Sequence, residues 1–173
     1  MSRLEEAWIW LRRIGHCRGF GIQSPTDYRF VRYVVNEHWP YYAYQTIGQG
    51  DTRQRRRLGR LYFRLANYLQ PTVILDLLGY DDYLRAGCRR AVISHDPDDD
   101  QHPQLILAPA TNIPTLPADH LPTAIAIEGI GKERAAWDTL LADSRATIAF
   151  DLYYCGIVFF DPQRAKQTFI VNF

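Results

Sequence analysis

Cysteine is scarce and poorly placed for cross-linking. Cys17, Cys88 and Cys155 are the chain's three thiols, far apart and without a Cys-x-x-Cys pair. An odd, dispersed set excludes a disulfide framework and a zinc ribbon, and it reads as reduced thiols in a cytoplasmic protein. An excess of one charge is also missing, because 20 basic side chains stand against 19 acidic ones. Net charge therefore names no polyanionic partner, and any basic patch is local. There is no basic-then-apolar leader and no apolar run of spanning length, so the expectation is a soluble chain with no membrane association. Glycine is short where it matters most: the loop after the first strand-like run holds a single one, Gly79.

A chain of 173 residues with 47% hydrophobic content suffices for one domain with a real core. Residues 1–70 read as a helical arm and 71–173 as a sheet core. In the arm, Leu4, Ala7, Trp8, Leu11 and Ile14 recur at helical spacing and predict a packing helix. Ser24-Pro25 then restarts a helix, with Ser24 as N-cap, proline in the first turn and Asp27 where a carboxylate favours the dipole. Its expected apolar face is Tyr28, Val31, Val34 and Val35. An aromatic linker follows, Trp39 to Tyr44, expected to staple the arm to the sheet. A long helix is predicted over residues 52 to 69, where Leu58, Leu61, Tyr62, Leu65, Ala66 and Leu69 make one stripe and Pro71 marks the stop. Its arginines, Arg53, Arg55, Arg56, Arg57, Arg60 and Arg64, suit a solvated face, with a nucleic-acid footprint as the alternative.

Past Pro71 the period changes. Val73, Ile74, Leu75, Leu77 and Leu78 form a short apolar run, as expected of a central parallel strand covered on both faces. Further strands are expected at 91 to 94, 105 to 107 and 123 to 130, and a helix at about 132 to 143. The finish is strand-rich, at 146 to 153, 157 to 160 and 168 to 173, with Gly156 punctuating an antiparallel hairpin. An acidic loop at 96 to 102 and a proline-rich connection at 109 to 122 complete the core. The fold class is α/β, a Rossmann-like mixed sheet with antiparallel C-terminal strands.

Three stretches resemble the class I S-adenosylmethionine-dependent methyltransferases, in particular a bacterial branch with a helical N-terminal arm. Gly21-Ile22-Gln23-Ser24-Pro25 is similar to that branch's Gly-Ile-His-Ser-Pro motif. Residues 60 to 78 resemble its arm helix and first strand, and residues 151 to 160 with 167 to 173 its closing strands. The resemblance implies a methyltransferase-type sheet with the cofactor over the loop after the first strand. Asp76, Gly79 and Asp96 then stand where S-adenosylmethionine would be held. The departures fall on the same places. Asp76-Leu77-Leu78-Gly79-Tyr80-Asp81 puts bulky side chains where the family has a glycine-rich loop. Ser94 or His95 stands where an acid would grip the ribose, Phe20 and Gln23 replace arm histidines, and the middle of the chain is short of a strand-and-helix unit.

Each candidate also has a plainer use. Asp76 caps its own turn if it holds no cofactor. Asp96 is one of several acids in a solvated loop. Glu128 is a general base or a turn residue, and Asp151 satisfies backbone in the hairpin. The spacing of His95 and His102 fixes no metal geometry, so no metal is expected. Cys17 beside His16, and Cys155, lack the independently positioned base that a nucleophile needs, which leaves the catalytic residues unknown. The expected function is a methyltransferase-like protein that has lost cofactor binding and catalysis and keeps an interaction or structural role. It would act as a homodimer through the arm or a sheet edge. The alternatives are an active small-molecule methyltransferase using S-adenosylmethionine, and nucleic-acid binding through residues 53–64.

Overall fold

The computed structural model describes residues 3–17, 19–99 and 101–173; Asp100 of the acidic loop lies outside them. The arm holds α1 (Arg3–Arg12) and α2 (Pro25–Phe30), the latter continuing into a π-helical turn at Val31–Val35. Ser24 caps α2 through its hydroxyl, which accepts from the Asp27 N–H. The longest helix is α3 (Arg53–Leu69), with the Thr52 hydroxyl capping its start and Gln70 in the left-handed conformation at its end.

The core alternates β1 (Val73–Asp76), α4 (Asp81–Gly87), β2 (Val92–Ser94), β3 (Leu105–Pro109), β4 (Ala124–Glu128), α5 (Arg134–Ala142), β5 (Ile148–Asp151), β6 (Cys155–Phe159) and β7 (Gln167–Ile170). These seven strands form one mixed sheet in the order β2-β1-β3-β4-β6-β5-β7. The first four are mutually parallel, and β6 is antiparallel to both neighbours. The last strand departs from an antiparallel finish: β7 pairs parallel to β5. Gly156 is not at the hairpin turn but inside β6 opposite Asp151, under the ring of Trp137. Tyr153, with φ of +70°, lies in the residues that make the turn.

Alternation along the strands divides the core in two. Leu105, Leu107, Ala124 and Phe150 face α3, α4 and the π-helical turn. Ile106, Ala108, Ile125, Ile127 and Val158 face α5, with Trp137 at the centre and the proline-rich connection over them. The chain runs from β1 outward to β2 and then returns to β3 on the other side of β1. The strand order therefore reverses between β1 and β3, and their carboxyl ends flank the place where open α/β sheets take ligands.

The arm departs from expectation in α1. Leu4, Ala7, Trp8, Leu11 and Ile14 all face outward, with Leu4 84% and Trp8 60% exposed. The helix is held instead by its polar side. Arg13 just beyond it pairs with Asp151 at 2.8 Å, and Asn172 donates to the Trp10 carbonyl. An ion pair on the opposite face has fixed the helix where its apolar period alone would not place it. In the second helical segment Val31, Val34 and Val35 are buried as expected, and Tyr28 is exposed. Of the linker aromatics, Tyr41 and Tyr44 pack edge-on against Phe63 of α3, whereas Trp39 and Tyr42 are exposed. No helix among the described residues is long and apolar enough to cross a membrane.

Candidate functional site

The carboxyl end of β1 is closed by its own side chain. Asp76 is buried, and its carboxylate accepts the backbone N–H groups of Leu78, Gly79 and Tyr80, the first two at 2.9 and 3.1 Å. Burial pushes its carboxyl above the usual range against the pull of those three donors. Gly79 sits at φ of +72°, a conformation that a side chain would strain. The outer face of the loop is taken by Arg55, whose guanidinium donates to the carbonyls of Leu78 and Gly79 and lies 4.2 Å over the Tyr80 ring. Backbone donors and acceptors that a bound nucleoside could use are thus met from within the chain.

The two tyrosines of the loop turn inward. Tyr80 meets Tyr62 edge-on with ring centroids 4.8 Å apart, and Tyr83 donates to Asp51 at 2.7 Å. Both are buried, and the ring of Tyr83 occupies the space left by the missing side chain of Gly59 in α3. Leu78 is half-buried and lines the neighbouring cleft.

Asp96 lies apart from this arrangement. It is exposed, and its carboxylate accepts the Asp98 N–H at 3.0 Å, closing a turn in the acidic loop. His95 stands nearer the loop instead. Its Nδ1 is 2.8 Å from the Asp76 carbonyl oxygen and its Nε2 is 3.2 Å from Asp81. Asp76, Asp81 and His95 bring three ligand atoms within 4.8 Å of one another. The contacts of His95 to the Asp76 carbonyl and the Asp81 carboxylate account for its placement without an ion. The carbonyl and, after it, the opposing effect of partial desolvation and the Asp81 charge leave the imidazole pKa raised.

Beside the loop, over the ends of β3 and β4, is a cleft of about 380 Å³ lined by Leu78, Ala110, Thr111, Lys132 and Tyr153, with Glu128 among the walls. Glu128 accepts the hydroxyl of Tyr62 at 3.0 Å and that of Tyr80. Burial raises its carboxyl, more than the two hydroxyl donors lower it. Cys155 lies beneath, fully buried, and burial pushes its thiol far above the ordinary value. It is an inert core thiol at neutral pH. No family model, curated protein or solved structure matches the chain.

Asp151, expected to satisfy backbone, does so by accepting the Tyr153 N–H at 2.9 Å, and it also pairs with both Arg13 and Arg134. The arginines of α3 depart furthest from their expected role as a solvated face. Arg64 is buried and donates to the carbonyls of Val34 and Val35, and Arg56 donates to those of Gly48 and Asp51. Arg57 lies over the Phe173 ring and Arg60 over that of Tyr44. A signal for this was present in the spacing: Arg53, Arg57, Arg60 and Arg64 fall at i, i+4, i+7 and i+11 on one side of the helix, and Arg55 points elsewhere. Nothing in the local sequence marks Arg55 as the partner of a loop 24 positions away.

Proposed function

We propose that the chain is a methyltransferase-like α/β domain that no longer binds S-adenosylmethionine and serves as an interaction or structural element. One observation carries the reading: the carboxylate of Asp76 takes three consecutive loop N–H groups while Arg55 takes the loop carbonyls. A cofactor entering there would have to displace hydrogen bonds that the fold makes for itself. The antiparallel β6 beside parallel β4, and the passage from β2 to β3 without an intervening helix, agree with a shortened sheet of the methyltransferase type. Asp96, exposed and occupied with its own turn, contributes nothing to a ribose grip. Calorimetric titration with S-adenosylmethionine and S-adenosylhomocysteine tests the reading, and no saturable heat is expected.

The interaction is pairing with a second copy through α1. An antiparallel two-fold pairing sets Leu4 of one copy against Leu11 of the other and the small Ala7 against Trp8. The apolar stripe is therefore complementary to itself. Charge runs the same way, from Glu5 and Glu6 at one end to Arg12 at the other, so antiparallel helices bring unlike ends together. A ten-residue helix is about 15 Å long. A helix face of that length cannot by itself bury the roughly 800 Å² per partner of a standard interface, so a weak dimer, in the micromolar range, is expected. Sedimentation velocity across the micromolar range should show a concentration-dependent dimer that Trp8→Glu abolishes without changing the far-ultraviolet spectrum. A monomer throughout, or a dimer indifferent to Trp8→Glu, would remove this role for α1.

A further inference from the structure

A second concavity lies on the opposite side of α3 from the loop clamp. It is a groove of about 660 Å³ between α3, the segment from Val35 to Gln45 and Phe173. Its floor is the arginine stripe. Arg56 and Arg64 spend donors on backbone carbonyls, as described above. For Arg53, Arg57 and Arg60, no ion pair or hydrogen bond to an acceptor is made among the described residues. Arg57 and Arg60 are half-buried and lie over rings, the first over Phe173 at 4.3 Å and the second over Tyr44 at 4.6 Å.

This placement is costly for a structural role alone. Like charges three and four residues apart on a helix repel. Desolvation lowers the pKa of Arg57, and the neighbouring Arg53 adds to it. The acids near the stripe do not neutralise it. Glu6 of α1 faces Arg57 without forming an ion pair, and Glu37 in the groove wall is committed to the N–H groups of His38 and Trp39. Two guanidiniums held against rings, with the exposed Arg53 one turn before them, all three short of acceptors, make a receptor for an anion.

The span narrows the class of anion. From Arg53 to Arg60 the helix advances about 10 Å. A single carboxylate does not cover that distance, and a chain of phosphates does. Trp39 in the groove wall is 69% exposed and offers a free ring face for stacking. We propose that this groove binds a nucleotide, its phosphates along Arg53, Arg57 and Arg60 and its base on Trp39. The same chemistry is presented by a free nucleoside polyphosphate and by the residues of a single nucleic-acid strand.

Titration of the full chain at low ionic strength with five probes tests this: a nucleoside triphosphate, inorganic triphosphate, the unphosphorylated nucleoside, a labelled single-stranded oligonucleotide and a poly-glutamate peptide. The nucleoside triphosphate should bind, triphosphate should bind more weakly, and the nucleoside alone should not bind. Arg53→Gln with Arg60→Gln should weaken the phosphorylated probes by about tenfold or more. Trp39→Ala should weaken the nucleotide and leave triphosphate unchanged. Arg53 and Trp39 are exposed and Arg60 is half-buried, so thermal unfolding is measured for the arginine pair, for Arg53→Gln alone and for Trp39→Ala, and an unchanged midpoint certifies the fold. An oligonucleotide that binds more tightly than the nucleoside triphosphate, with affinity falling steeply in salt, would identify a strand as the source; preference for the nucleoside triphosphate would identify the free nucleotide. No binding of any phosphorylated probe at millimolar concentration, indifference to the arginine pair, or equal binding of a poly-glutamate peptide would overturn the proposal.

Discussion

The hydroxyl of Tyr83 in α4 donates to the carboxylate of Asp51 at 2.7 Å, across the gap left in α3 by Gly59. This contact, 32 positions apart in sequence, ties the loop after β1 to the start of the long helix. Tyr83→Phe should cost about 1.5–3 kcal/mol in urea unfolding, the worth of a hydrogen bond to a charged group. Burial first, then Asp51, pushes the Tyr83 hydroxyl up to about 12. Because this pKa is raised in the folded state, its contribution is complete below pH 10 and is lost as pH rises toward 12. The Phe variant should lack that part of the alkaline decline.

Gly59→Ala should destabilise although alanine favours helix. The added carbon would lie 2.5 Å from the Tyr83 ring, and overpacking of that kind costs about 1–3 kcal/mol. The helical gain is about 1 kcal/mol or less. Thermal unfolding should show a lower midpoint, and Gly59→Ala combined with Tyr83→Ala should show the clash removed.

Arg164 reaches back to the arm, donating to both carboxylate oxygens of the buried Asp27, one of them at 2.9 Å. Arg164→Ala strands that carboxylate and should cost about 3 kcal/mol, whereas a surface pair would be worth less than one. Asp27→Asn with Arg164→Ala should recover part of the loss, which a double-mutant cycle in denaturant would measure.

Neutralising Glu128 should act in the opposite direction from removing Arg164. Burial raises its carboxyl, so its ionisation opposes folding at neutral pH. Glu128→Gln keeps an acceptor for Tyr62 and Tyr80 and should leave stability equal or raise it at pH 7. The difference should shrink as pH falls through the raised pKa, where Glu128 itself becomes neutral. Glu128→Leu, which leaves two tyrosine hydroxyls without their acceptor, should cost about 2–4 kcal/mol.

These contacts mark the boundary of what the sequence discloses. Period and breakers placed the elements well: the helix expected over 52 to 69 is Arg53–Leu69 with Thr52 as its cap, and the run from Val73 is the parallel β1. What period cannot carry is pairing at long range. Nothing near Ile170 indicates that β7 lies parallel to β5, and nothing near Trp8 indicates that Arg13 and Asp151 hold the helix with its apolar stripe outward. The candidate site follows the same rule. Asp76 at a strand end and the lone Gly79 were legible from chain order. Arg55 across the loop and the tyrosine pair on Glu128 were not, because each partner comes from a distant element.

The central claim is that the loop after β1 is closed to S-adenosylmethionine. Isothermal titration of the wild-type chain with S-adenosylmethionine, and separately with S-adenosylhomocysteine, tests it most directly. No saturable heat is expected at millimolar ligand for either. Binding of either at micromolar strength, weakened by Asp76→Ala or Gly79→Val, would contradict it.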